Sequence, residues 1–161
     1  MSVGRGFFPR DEYFMRLALR EAERALEHDD VPIGAVVVHE GEVLAAARNE
    51  RELRGDPTAH AEVLALRDAS AKLRTWRLLD TVLYVTLEPC AMCVGALVHA
   101  RIARIVYGAA DPKTGACGSV FDLAANAKMN HRIEVVGGVL ADECGALLKR
   151  FFAARRGRDA S

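Results

Sequence analysis

The chain is poor in cysteine, with 4 in 161 residues, and it has a single tryptophan. That scarcity excludes the disulfide-built scaffold of a small secreted domain. It also has no net charge, since Lys+Arg and Asp+Glu number 22 each. A generic polyanion binder is usually basic overall, so that class is disfavoured, although a local basic patch is not. No apolar run approaches the ~20 residues that cross a bilayer. The longest, Ala91 to Val98, runs into His99 and Arg101. The first ten residues, MSVGRGFFPR, lack the apolar stretch of a signal peptide, so a cytoplasmic location is expected. Repeats, low-complexity tracts and linkers are missing as well. Glycine and proline are scattered as turn punctuation.

What is present suits a folded chain. The hydrophobic fraction is 51% and the charged fraction 27%, which excludes intrinsic disorder. A chain this long buries roughly 68–70% of its unfolded surface. One domain is expected over residues 1–161, with its core at about 10–156.

Hydrophobic spacing supplies the elements. Residues 11–27 carry a helical stripe at Phe14, Leu17, Ala18, Ala22 and Ala25. Ile33–Val38 and Val43–Ala47 flank a turn signal and read as a β-hairpin. Asp56-Pro57 is expected to open a helix that runs towards Trp76. Strands are expected at 81–87, 104–107 and 133–136, with a helix from Pro89 to about Ala100. The last helix carries Cys144, Leu147, Leu148, Phe151 and Phe152 at amphipathic spacing. A hairpin followed by βαβ units implies an α/β fold: three layers, α/β/α, around a five-stranded mixed sheet.

Two short stretches carry chemistry: His60-Ala61-Glu62 and Pro89-Cys90-Ala91-Met92-Cys93. Cys90 and Cys93 lie about 60° apart on a helix, so both can reach one metal. Both thiols are expected to deprotonate easily at a helix N-terminus. His60 adds a neutral donor. Zn²⁺ takes such a set readily, and three protein ligands leave a fourth position open, as in catalytic sites. In an ideal helix His60 and Glu62 would lie about 200° apart. Both face the metal only if His60 sits in an irregular entry turn. Glu62 is then the general acid/base rather than a ligand. Other readings stay open at this point. The Cys-x-x-Cys pair could be a redox motif. A structural zinc could recruit Cys117, Cys144, His99 or His131 as a fourth ligand.

His-x-Glu with Pro-Cys-x-x-Cys is the general signature of zinc deaminases. The resemblance extends further. Asn49, DPTAHAE (56–62), LYVTLEPCAMC (83–93), HARI (99–102), DPKTGACGS (111–119), MNHR (129–132) and ADEC (141–144) resemble the bacterial tRNA-specific adenosine deaminases. Similarity runs from about Met15 to Arg156. It implies a cytidine-deaminase-like fold and one Zn²⁺ per subunit on His60, Cys90 and Cys93. It implies Glu62 as proton shuttle and Asn49 as a hydrogen-bonding partner of the target nucleoside. Asp111, Lys113 and Asn130 match positions near flanking anticodon nucleotides. Val31-Pro32-Ile33 lies where the family has an apolar pocket wall. Phe151, Phe152 and Arg155, with neighbouring C-terminal arginines, are expected to stack on and contact RNA.

The implied reaction is hydrolytic deamination of adenosine to inosine at the wobble position of a tRNA anticodon, of the tRNA-Arg type. Glu62 takes a proton from water at the metal, and hydroxide adds to adenine C6 as the proton passes to N1. Glu62 then protonates the departing amine. The anticodon stem-loop is the implied partner and a homodimer the implied assembly. Two alternatives remain: a deaminase of a free base or nucleoside such as guanine or cytosine, and a non-catalytic module with structural zinc.

Overall fold

The computed structural model describes residues 8–159. In chain order the helices are α1 (Pro9–Arg24), α2 (Arg51–Arg54), α3 (Ala61–Leu73), α4 (Ala91–His99) and α5 (Ala141–Asp159). The strands are β1 (Gly34–His39), β2 (Glu42–Arg48), β3 (Thr81–Leu87), β4 (Arg104–Ala109) and β5 (Glu134–Val136). They form one five-stranded mixed sheet in the order β2-β1-β3-β4-β5. β1 runs antiparallel to β2 and β3, whereas β3, β4 and β5 are parallel. The expected three-layer architecture is present.

Strand alternation explains the layers. Ala35 and Val37 of β1, with Leu83, Val85 and Ile105, pack against α3 and α4. Val36, Val38, Tyr84 and Val106 face the other way, onto Phe14, Met15 and Ala18 of α1 and Cys144 of α5. Both faces of the central strands are buried, hence their near-continuous apolar runs. α1 crosses β1 closely enough that glycine is required there. A Cβ on Gly34 would lie 2.0 Å from the Ala18 carbonyl oxygen.

Several boundaries differ from the sequence expectations. α1 ends at Arg24 and tightens into a 3-10 turn over Ala25–His28. α3 starts at Ala61, not at Asp56-Pro57. The Asp56 carboxylate instead accepts the Thr58 N–H and hydroxyl, both at 2.8 Å, and so closes a turn of its own. α4 likewise starts two residues after Pro89, with Cys90 at its N-cap. The four-residue α2 was not expected.

The sheet brings distant segments to one end. Ala35 pairs with Val85, so the start of β1 meets the end of β3. Gly34 pairs with Arg48, which places Asn49 at the same end. Leu87 pairs with Ala109, which adds the segment entering Asp111. Ligands in open α/β sheets bind beyond the carboxyl ends of parallel strands, and this is that end.

A buried ion pair fastens α1 to the sheet. Asp11, fully buried, accepts Arg104 Nη1 and Nη2 at 2.9 Å each and the Tyr84 hydroxyl at 2.8 Å. Burial alone would raise its carboxyl, but those bonds and the Phe8 N–H outweigh burial and hold it below the usual 3.8. A depressed carboxyl stabilises the fold fully above its unfolded pKa and ceases to do so as pH falls through the folded one. Asp11→Asn is therefore expected to cost about 3–5 kcal/mol at neutral pH. Denaturant titrations should show that difference shrinking between about pH 5 and pH 2; a difference independent of pH would mean that the charge of Asp11 contributes nothing.

Candidate active site

The two chemistry-bearing stretches meet at that sheet end, each at a helix N-terminus. His60 is the N-cap of α3, extended at φ −73° and ψ 149°. Cys90 is the N-cap of α4, extended at φ −79° and ψ 174°. An N-cap side chain is free of the helical rotation that follows it. This is how His60 escapes the ideal-helix geometry and faces the same point as Glu62. Cys93, one turn into α4, is fully buried and completes the cluster.

His60 Nδ1 lies 3.7 Å from Cys90 Sγ and 3.5 Å from Cys93 Sγ. Tetrahedral zinc with bonds of ordinary length spaces its nitrogen and sulfur donors about 3.6 Å apart. The donor set fits that ion in both chemistry and spacing. All three donor atoms lie within 4.8 Å of one another, and among the described residues no fourth protein donor joins them. Cys144 is buried in the α1/α5 layer. Cys117 is buried against the other face. The thiols of both are pushed up to about 12, chiefly by burial. His131 Nε2 lies 2.7 Å from the Ile102 carbonyl oxygen. Cys117, Cys144 and His131 thus lie elsewhere, and His99 is exposed at the last residue of α4, the far end from Cys90.

Without a metal, the two thiols are pushed in opposite directions. Cys90 is pulled down to about 4, first by the hydrogen bond from Cys93 and then by His60. Cys93 is pushed up by donating that bond and by its burial. Without a cation, a second buried thiolate beside the first is repelled. A divalent cation would remove that penalty.

Glu62 is buried at the cavity wall, and burial pushes its carboxyl above the usual range. The cavity, of about 200 Å³, is lined by His60, Glu62 and Cys90, and by Val31, Ile33, Asn49 and Asp111. Val31-Pro32-Ile33 precedes β1; Val31 and Ile33 line the cavity, and Ile33 also packs against the core. Asn49 is buried; its Nδ2 donates to the Val31 carbonyl at 3.2 Å and its Oδ1 accepts the Arg51 N–H at 3.1 Å. Its side chain therefore shapes the wall as well as facing the cavity.

Other expected residues are placed differently. Lys113 and Asn130 are exposed and are not part of the cavity lining. Phe151 is buried on the inner side of α5, and it is Phe152 that lines the cavity. One residue turns a helix by about 100°, so the stripe that faces the core cannot also face the site. Arg155 lies over the Phe151 ring at 4.9 Å and donates to the Asp29 carbonyl at 3.1 Å.

Sequence reasoning missed two buried carboxylates that hold the cavity's rim. Glu88 accepts the backbone N–H groups of Asp111 at 3.0 Å, Cys117 at 2.9 Å and Ser119 at 3.1 Å, and the Ser119 hydroxyl. Burial would raise its carboxyl, yet these bonds hold it below the usual range. The loop packs so tightly that a Cβ on Gly115 would lie 2.4 Å from Glu88 Cδ. Asp111, in turn, closes its own turn by accepting the Lys113 and Thr114 N–H groups and the Thr114 hydroxyl. On the opposite side Asp30 accepts the Glu52 and Leu53 N–H groups at 2.7 and 3.1 Å and pairs with His28 Nδ1 at 2.7 Å. The signal for Glu88 was a lone acid between an apolar strand and Pro89-Cys90. For Asp30 no sequence signal distinguishes it from Asp29.

The chain is similar to known deaminases. Residues 10–156 match the MafB19-like deaminase family. The tRNA-specific adenosine deaminase of Bacillus subtilis is 48% identical over 147 residues, 91% of each chain. That of Haemophilus influenzae is 48% identical over 91% of this chain and 85% of its own. The chain belongs to this deaminase family. A solved structure from a study of A-to-I editing by tRNA:A34 deaminases superimposes with a TM-score of 0.82 at 45% identity, covering 84% of this chain and 99% of that one. A guanine deaminase from Nitrosomonas europaea shares the fold at TM-score 0.78 and 28% identity, over 88% of this chain and 84% of its own.

Glu88→Gln sets an amide N–H against backbone donors. It is expected to cost about 2–4 kcal/mol of unfolding free energy. Urea denaturation checks this, and a cost below about 0.5 kcal/mol would mean the 111–119 loop is held by other contacts.

Proposed function

We propose that this protein hydrolytically deaminates adenosine to inosine at the wobble position of a tRNA anticodon. The observation that carries the reading is a buried carboxylate, Glu62, in the same cavity as a three-donor metal site with no fourth protein ligand among the described residues. A structural zinc has no use for that carboxylate. Membership of the family supports the reaction. Higher identity to tRNA deaminases, 48% against 28% for the guanine deaminase, favours tRNA over a free base.

His60, Cys90 and Cys93 would hold Zn²⁺. A Zn²⁺ ion held there would supply Lewis acidity that makes water a better nucleophile at neutral pH. Glu62 is the proton carrier: it takes a proton in one step and returns it to the leaving amine in the next. Val31 and Ile33 pack against a base extruded from its stack, and Asn49 hydrogen-bonds the nucleoside. Asp111 and Phe152 border the entrance. Lys113, Asn130 and Arg155 lie further out, where flanking nucleotides of the anticodon loop would pass. The work is cytoplasmic, where the tRNA substrate is found; no described helix is long and apolar enough to cross a membrane.

A homodimer through α4 is supported by that helix's outer face. Met92 is 38% exposed and a Cβ on Gly95 would meet nothing within 4 Å. Sedimentation velocity is expected to give twice the 17.5 kDa chain mass; a single-chain mass at micromolar concentration would refute it.

The function is tested with zinc-loaded protein on an ACG-anticodon arginine tRNA and, separately, on free adenosine, guanine and cytidine. Inosine at the wobble position, with inert free compounds, is expected by mass spectrometry. Glu62→Ala is expected to keep its zinc and lose roughly 10²–10⁴ in turnover. A deaminated free base with untouched tRNA would move the protein to the free-base branch.

A further inference from the structure

Arg51 is the one Lys or Arg on the cavity lining. Its backbone is tightly placed. The N–H is held by Asn49 Oδ1 at 3.1 Å, and the next two amides are capped by buried Asp30. The side chain is exposed, and among the described residues its guanidinium makes no ion pair and no hydrogen bond.

The arginines around it are engaged. Arg48 lies 3.5 Å from Glu21 and 3.9 Å from Glu50, and Arg54 donates to Glu50 at 2.8 Å. On the α5 side, Arg155 and Arg158 both pair with Asp29. An anion arriving at the mouth would have to compete with a carboxylate for any of these. At Arg51 it would not.

The substrate's geometry says which anion that is. A cavity of about 200 Å³ is below the roughly 300–1,000 Å³ that drug-sized ligands fill. It takes a base and leaves the sugar-phosphate chain at the rim. Within a polynucleotide the target nucleoside carries a phosphate on each side, and a free base or nucleoside carries none. We infer that Arg51 contacts a backbone phosphate adjoining the target nucleotide and so selects polynucleotide over free nucleoside. The inference rests on the proposed function and adds a specificity-determining residue to it. A guanidinium fork matches phosphate oxygens bidentately, and its anchored backbone limits the order that binding must impose.

The test uses the zinc-loaded full chain, Arg51→Gln and Arg51→Lys, with a fluorescently labelled anticodon stem-loop. Kd is read by anisotropy over about 50–200 mM KCl, and kcat and KM by inosine formation. Arg51→Gln is expected to raise Kd and KM about five- to tenfold, with the loss falling on KM rather than kcat. The slope of log K against log salt should become shallower by about 0.7–1. Arg51→Lys should restore most of the slope, since it keeps the charge. Unchanged Kd and slope in Arg51→Gln would overturn the inference. So would an equal loss of binding to free adenosine, which would make Arg51 an ordinary wall residue. Failure of the unsubstituted chain to deaminate the stem-loop would instead sink the proposed function, and the Kd comparison would still decide Arg51.

Discussion

Three donor atoms can serve one metal only if they are held about 3.6 Å apart, and no single regular helix in this chain offers that set. The protein meets the constraint by starting two helices at the same place. His60 and Cys90 each occupy an extended N-cap, outside the rotation that governs the residues after them. Glu62 and Cys93 then follow inside the first turn of their own helices. Moving either helix start by one residue would turn the donors away from one another.

The sheet exists in this form largely to hold those two starts. β3 delivers Glu88, Pro89 and Cys90 at its carboxyl end, and β1 and β2 bring Val31–Ile33 and Asn49 to the same edge. The apolar layers on both faces keep the strands from sliding, because a slip of one residue would reverse every side chain. Asp11 and Arg104 lock α1 onto the sheet from the far layer.

Around the cavity, irregular chain is disciplined by buried carboxylates. Glu88 gathers the 111–119 loop through backbone amides, and Asp30 does the same for α2. Such an arrangement gives loops the rigidity that a site needs while leaving their exposed side chains available to a substrate. The aromatic and basic residues of α5 divide along the same line: Phe151 anchors the helix, and Phe152 looks into the site.

The three clustered donors His60, Cys90 and Cys93, the carboxylate beside them, the five-stranded α/β/α sheet and the family itself were all legible in the amino-acid sequence. They depend on short spacings and on period-2 and period-3.6 patterns, which are local properties of a chain. The entry turn at His60 was legible too, since an ideal helix could not satisfy both His60 and Glu62. Asp56-Pro57 misled because an Asx turn and a helix cap use the same residue for the same kind of bond. The roles of Glu88 and Asp30, the separation of Phe152 in the cavity from Phe151 in the interior, and the unpaired state of Arg51 appeared only in three dimensions. Each is settled by partners 20 or more residues away in sequence, or by which of two adjacent helix positions the core claims first. A chain's own spacing carries no record of either.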